Sequence, residues 1–226
     1  MIPLPLLRVL SLSSCLLAAA CGSLPNHTAD FATNPVLYVD VPFTTQAPGD
    51  RDVFVAPIQD ARDEAALPQH ERGFPIVYGA DGFWERPVRE MLADVLVRQI
   101  ADSKLFGRVV DQPAPTTLLI RPTLQNFTTG TREAMAGRRS FAEVSLRLEV
   151  LGPARADGGR DVLLDRVYGS RQVSELELNP PSPYRLIGRA LQQSMQQLLA
   201  GLDGHNLGRS AVPLAVPAAA AAAPAR

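Results

Sequence analysis

The stretch Phe141-Ala142-Glu143-Val144-Ser145-Leu146-Arg147-Leu148-Glu149-Val150-Leu151 decides the fold. From Ala142 to Val150 its apolar and polar residues alternate strictly. Val144, Leu146, Leu148 and Val150 share one side; Glu143, Ser145, Arg147 and Glu149 share the other. A strand with that period rests one face on a core and gives the other to water. Downstream, Asp157-Gly158-Gly159 is a turn signal, and Asp161 to Val173 reads as the hairpin partner. Upstream, Thr117 to Phe127 is extended, and Pro122 predicts an edge position or a bulge. Further back, Val53 to Ile58 is apolar and β-branched and ends at Pro57, and Arg108 to Val110 starts another short strand.

Two helices flank this meander. Between Trp84 and Phe106, Val88, Met91, Leu92, Val95, Leu96 and Ile100 recur at spacings of three and four, with Pro87 in a first-turn position. After Asn179-Pro180-Pro181, Ser182 is an N-cap candidate and Pro183 opens a second helix. Its stripe is Leu186, Ile187, Ala190, Leu191, Met195, Leu198, Leu199 and Leu202, and Gly204 closes it. The expected fold is α+β: a mostly antiparallel sheet with two helices packed on one face.

The ends differ from this middle. Arg8 precedes an apolar or small-residue run, Val9 to Ala20, and Ala18-Ala19-Ala20 stands directly before Cys21. That is the layout of a secretory signal, and the run is too short to span a membrane. A cysteine after three small residues resembles the bacterial lipobox, which implies cleavage before Cys21 and a lipid on its thiol. Leu12-Ser13-Ser14-Cys15 is a second box with a shorter apolar core, and an ordinary signal leaving Cys21 as a free thiol is the other alternative. Gly22, rather than Asp, follows Cys21, which in lipoproteins of this type implies the outer membrane. The expected organisation is a signal at 1–20, a lipidated cysteine and flexible tether at 21–50 with a short strand at 36–41, a periplasmic domain at 51–205, and an Ala/Pro-rich tail at 206–226.

Composition narrows the function classes. Net charge is −1, which does not suggest a nucleic-acid partner. The only two cysteines are Cys15 and Cys21, so the mature domain has neither a disulfide nor a cysteine metal site. His27, His70 and His205 are scattered through tether, loop and helix end, with no metal-ligand spacing. Gly169-Ser170 lacks the second glycine of a nucleophile elbow, and the phosphate-binding glycine motifs are absent. Asp60-Ala61-Arg62-Asp63-Glu64 is the densest charge cluster and reads as a strand end where Arg62 pairs with its acids. Arg138-Arg139 begins a strand and reads as a solvated turn rather than a phosphate site. No cofactor, metal or catalytic residue is expected, and the chain reads as a non-enzyme.

One segment stands out. Phe74, Ile76, Tyr78, Phe83 and Trp84 crowd into a stretch punctuated by glycine and Pro75 inside a long loop. They are candidates either for a surface that contacts a partner or apolar ligand, or for packing beneath the sheet.

A lipobox cysteine, the extended Ile76-Val77-Tyr78, and Trp84-Glu85-Arg86-Pro87-Val88 opening a helix that ends Lys104-Leu105-Phe106-Gly107-Arg108-Val109 together resemble the PqiC-like auxiliary lipoproteins of ABC-type transporters. The resemblance covers roughly Val53 to Leu202. The Asp60 to Asp63 region and its long loop are also similar to the YajG-like lipoproteins. The PqiC-like resemblance implies an accessory component, anchored to a membrane through its N-terminal lipid, with protein partners in an envelope lipid-transport complex. The other function class is an envelope protein of a different kind, such as an outer-membrane stability factor or an activator of a cell-wall enzyme.

Overall fold

A computed structural model describes residues 30–62, 84–134, 137–174 and 183–210. Its elements are β1 (Val53–Val55), β2 (Gln59–Asp60), α1 (Val88–Ser103), β3 (Val109–Val110), β4 (Leu118–Ala134), β5 (Gly137–Ala154), β6 (Arg160–Val173) and α2 (Pro183–Gly204). The six strands form one sheet in the order β3-β1-β4-β5-β6, with β2 beside β4.

The fold is α+β, but the sheet is mixed. β4, β5 and β6 are the expected antiparallel meander. β1 runs parallel to both β3 and β4, and β2 runs parallel to β4. The reason is the path of the chain. It leaves β1 and returns to β3 through α1, and a helical crossover brings the next strand back in the same direction. Strands of two or three residues carry no readable period, so the direction of this half of the sheet is not legible in the sequence.

Pro122 lies inside a central strand. Ile120 and Leu124 accept bonds from Ala56 and Ala61 on the β1–β2 side of β4. Pro122, midway between them, aims its missing N–H at the gap between Val55 and Gln59, where no ladder runs. The bulge expected nearby falls at Leu124/Asn126. The extra residue shifts the side-chain period by one and turns Phe127 into the core.

The core is one cluster between the sheet and both helices. Val144, Leu146, Leu148 and Val150 are fully buried there, with Val95, Ile100, Leu191 and Leu198. α1 begins one residue after Pro87 rather than at Trp84, because Pro87 sits in extended geometry as the N-cap. It ends at Lys104 in left-handed conformation, φ 59°.

Residues 30–50 are not a tether. Phe31 and Tyr38 are buried, and the segment forms a strap across α1 and α2. No strand forms at 36–41; turns and side chains satisfy its backbone instead. The Gln99 side chain of α1 accepts from the Val41 N–H at 2.9 Å and the Tyr38 hydroxyl at 3.4 Å. Arg98 forks onto Asp40 at 2.7 and 2.9 Å, and Gln192 of α2 donates to the Val39 carbonyl at 2.8 Å. Residues 206–210 also belong to the domain rather than to a tail. The N–H groups of Asp50 and Arg51 donate to the Gly208 carbonyl, and the Ser210 N–H donates to Asp50.

Candidate functional site

Of the five residues singled out in the sequence, Trp84 alone is described; Phe74, Ile76, Tyr78 and Phe83 lie outside the described residues. Trp84 is 7% exposed and belongs to the core, not to a contact surface. Its ring meets Phe31 at 5.1 Å and Tyr184 at 5.1 Å, both edge-on, and Phe127 at 6.0 Å. Each partner comes from a different element: the strap, β4 and the start of α2. The nest therefore welds the entry of the strap to the N-terminal ends of both helices. Edge-to-face packing of this kind adds about 1 kcal/mol per pair beyond burial. The Trp84 indole N–H is buried and has no hydrogen-bond partner among the described residues. Beside the nest, Arg86 bonds the buried Asp30 at 2.9 Å and Asp94 at 2.8 Å, which fixes the first residue of the strap.

The groups with catalytic potential have structural partners. Arg62 binds Asp60 through both guanidinium and backbone. Burial pushes the Asp60 carboxyl up, but the Arg62 bonds and the nearby Arg89 charge outweigh it and hold it below the usual range. Asp63 and Glu64 lie outside the described residues. The Ser170 hydroxyl bonds the Gln193 amide oxygen at 2.5 Å, which gives it no base. His205 is exposed at the end of α2; His27 and His70, like Cys21, lie outside the described residues. Among the described residues no three His, Cys, Asp or Glu side chains are placed to hold a metal.

Two surfaces remain. An open groove of about 510 Å³ runs beside the strap, lined by Val41, Pro42, Gln172, Arg189, Gln192 and Gln193. It is floored by amides already engaged with one another, Gln172 on Gln193 at 2.6 Å and Gln192 on Val39. The solvent face of the sheet is a ladder of cross-strand ion pairs: Arg121–Glu149 at 3.4 Å, Arg147–Asp165 at 2.5 Å and Arg171–Glu143 at 3.9 Å. Arg171 also lies over the Phe141 ring at 4.6 Å. Sequence reading missed the strap-holding residues. Gln99 carried a signal: it falls in the apolar stripe of α1, four residues after Val95, and a polar residue there implies a specific bond.

No helix among the described residues is long and apolar enough to cross a membrane. No family model matches the chain, and no curated protein matches its sequence. Among solved structures, it is similar to a Xanthomonas campestris protein of the DUF330 family, with 18% identity over 74% of this chain and 91% of that one, at a TM-score of 0.45. It is similar to a hypothetical protein from Chlamydia trachomatis at 9% identity, covering 71% and 98% of the two chains, TM-score 0.45. A lipoprotein from Neisseria meningitidis is more distant, at 12% identity over 66% and 99%, TM-score 0.27.

Proposed function

We propose that this chain is a lipid-anchored, periplasm-facing envelope protein, exported by residues 1–20 and lipidated on Cys21, that serves as a non-enzymatic accessory component of an ABC-type lipid-transport assembly, at the outer rather than the inner membrane. The observation that carries the anchored reading is the strap. Asp30 is already locked into the core by Arg86, nine residues after Cys21. Nine residues fully extended reach about 30 Å. The domain is thus held close to the membrane surface. That suits a component that works beside membrane partners better than one that reaches far from its anchor. The engagement of Ser170 by Gln193 and of Asp60 by Arg62 supports a role in binding rather than catalysis. The transport assignment rests on the sequence resemblance alone.

Fractionation tests the anchor. Wild type should sediment with membranes and carry lipid on Cys21 by mass spectrometry, and Cys21→Ala should appear in the soluble periplasm. Equal membrane association of both, with Cys21 unmodified, overturns it. Affinity purification of the lipidated protein tests the transport role. A permease, an ATPase and a substrate-binding protein should co-purify; recovery of a cell-wall synthase in their place would reassign the function.

A further inference from the structure

The two edges of the sheet differ. At one edge β3 has only two residues, a length that offers little to pair with. At the other, β6 runs for 14 residues, and among the described residues it pairs with β5 alone. Its register irregularities fall near Val162 and Arg160 and leave Leu164 to Val173 regular. That stretch holds neither proline nor lysine, residues that commonly blunt a free edge. Of the seven large apolar side chains exposed among the described residues, four lie on β6: Val162, Leu163, Val167 and Val173. A long, regular and partly apolar edge is a template for another strand.

The ladder and the charges select which strand. The Ser174 N–H donates to the Ser140 carbonyl, so the even-numbered residues of the regular stretch bond inward to β5. The alternation of an antiparallel pair then turns the N–H and C=O groups of Asp165, Val167, Gly169, Arg171 and Val173 outward. A further strand must meet them with outward groups of its own. The β6 strand of a second copy does so about a two-fold axis, when odd-numbered residues face odd-numbered ones. With the axis at Tyr168, Asp165 faces Arg171 of the second copy and Val167 faces its Gly169, each twice by symmetry. With the axis at Val167 or Gly169, Asp165 faces Gly169 or Val173 instead, and the opposite charges do not meet. Opposite charges directly across a strand pair stabilise it. Here they also extend a row already present. Glu143 lies 3.9 Å from Arg171 in one copy, and Asp165 bonds Arg147 at 2.5 Å in the other, so the signs alternate across the join. Val173 of each copy reaches the bulged end of the other strand, where Leu163 is exposed.

We infer that β6 pairs antiparallel with β6 of a second copy of this chain, centred on Tyr168, so that two sheets join into one. The inference needs neither the lipid nor the transport reading. The full chain, purified from cells in mild detergent, is followed by sedimentation equilibrium and should have the mass of a dimer. Val167→Lys puts a lysine on the edge and should weaken association on the order of tenfold or more. Val36→Lys makes the same change at an exposed valine of the strap and should leave association unchanged. Asp165→Arg sets a like charge opposite Arg171 of the second copy and should also weaken association. Asp165→Arg/Arg171→Asp restores opposite signs and should recover most of the loss. Thermal melts establish that each variant is folded. A monomer at every concentration overturns the pairing. So does an oligomer that Val167→Lys and Asp165→Arg leave intact, or a double variant that associates no better than Asp165→Arg alone.

Discussion

A Cβ added to Gly188 would overlap the carbonyl oxygen of Leu37, so the strap crosses α2 at a point only glycine permits. A glycine inside a helix costs about 1 kcal/mol relative to alanine, and here the close approach it allows offsets that. Gly188→Ala should lower stability by roughly 1–3 kcal/mol, since the strap backbone must shift. A thermal melt would record it, and proteolysis should then cut first between residues 30 and 50. A melt unchanged or raised would mean that the strap does not lie on α2. Gly188 in a helical stripe, like Gln99, was a legible sign of close contact, but neither residue says what it contacts. That partner is some 60 to 150 positions away, as in the pairs Val41–Gln99 and Val39–Gln192. Trp84 was legible as an aromatic of consequence; its neighbours Phe31, Phe127 and Tyr184 were not, because the strap, a bulge in β4 and the start of α2 bring them together.

Among the elements, the middle of β5 was read from its period between Phe141 and Leu151, short of its full span Gly137–Ala154, and its register makes a sharp test. Leu148 is fully buried opposite Pro122, and Glu149 lies on the other face beside Arg121. Leu148→Asp buries an unpaired charge, at a cost of several kcal/mol, and should prevent folding. Glu149→Lys removes one exposed ion pair and should cost about 1 kcal/mol or less. Similar melting curves for the two would refute the register. The strap escaped such reading because the short strand expected at 36–41 does not form. It is ordered by side chains from two helices that satisfy its backbone groups, and binary patterning is blind to that. The parallel edge escaped for a related reason: β1, β2 and β3 are too short to alternate, and their direction is set by the α1 crossover rather than by their own residues.

Over the whole molecule, carboxylates tie segments that are distant in sequence, and this fixes the response to acid. The Ser210 backbone bond holds Asp50 below the usual carboxylate range. The Arg108 side chain does the same to Asp52, and the Arg147 side chain does so to Asp165. Asp60 is lowered as well, by Arg62 against its burial. In each case the folded value lies below the unfolded one, so the unfolded chain binds more protons near pH 4. The stability these groups contribute is present above the unfolded value and is lost as pH falls through the folded one. The melting temperature should therefore hold level above about pH 5 and fall between about pH 4 and pH 2. Asp50→Asn should make that fall shallower, and because Asp50 receives the Ser210 N–H it should also loosen residues 206–210 from the strap. Hydrogen exchange at Ser210 would read the loosening directly. A melting temperature that stays constant down to pH 2 would show that these carboxylates titrate alike in both states, and hence that the contacts joining the strap, the sheet and the end of α2 are not formed in solution.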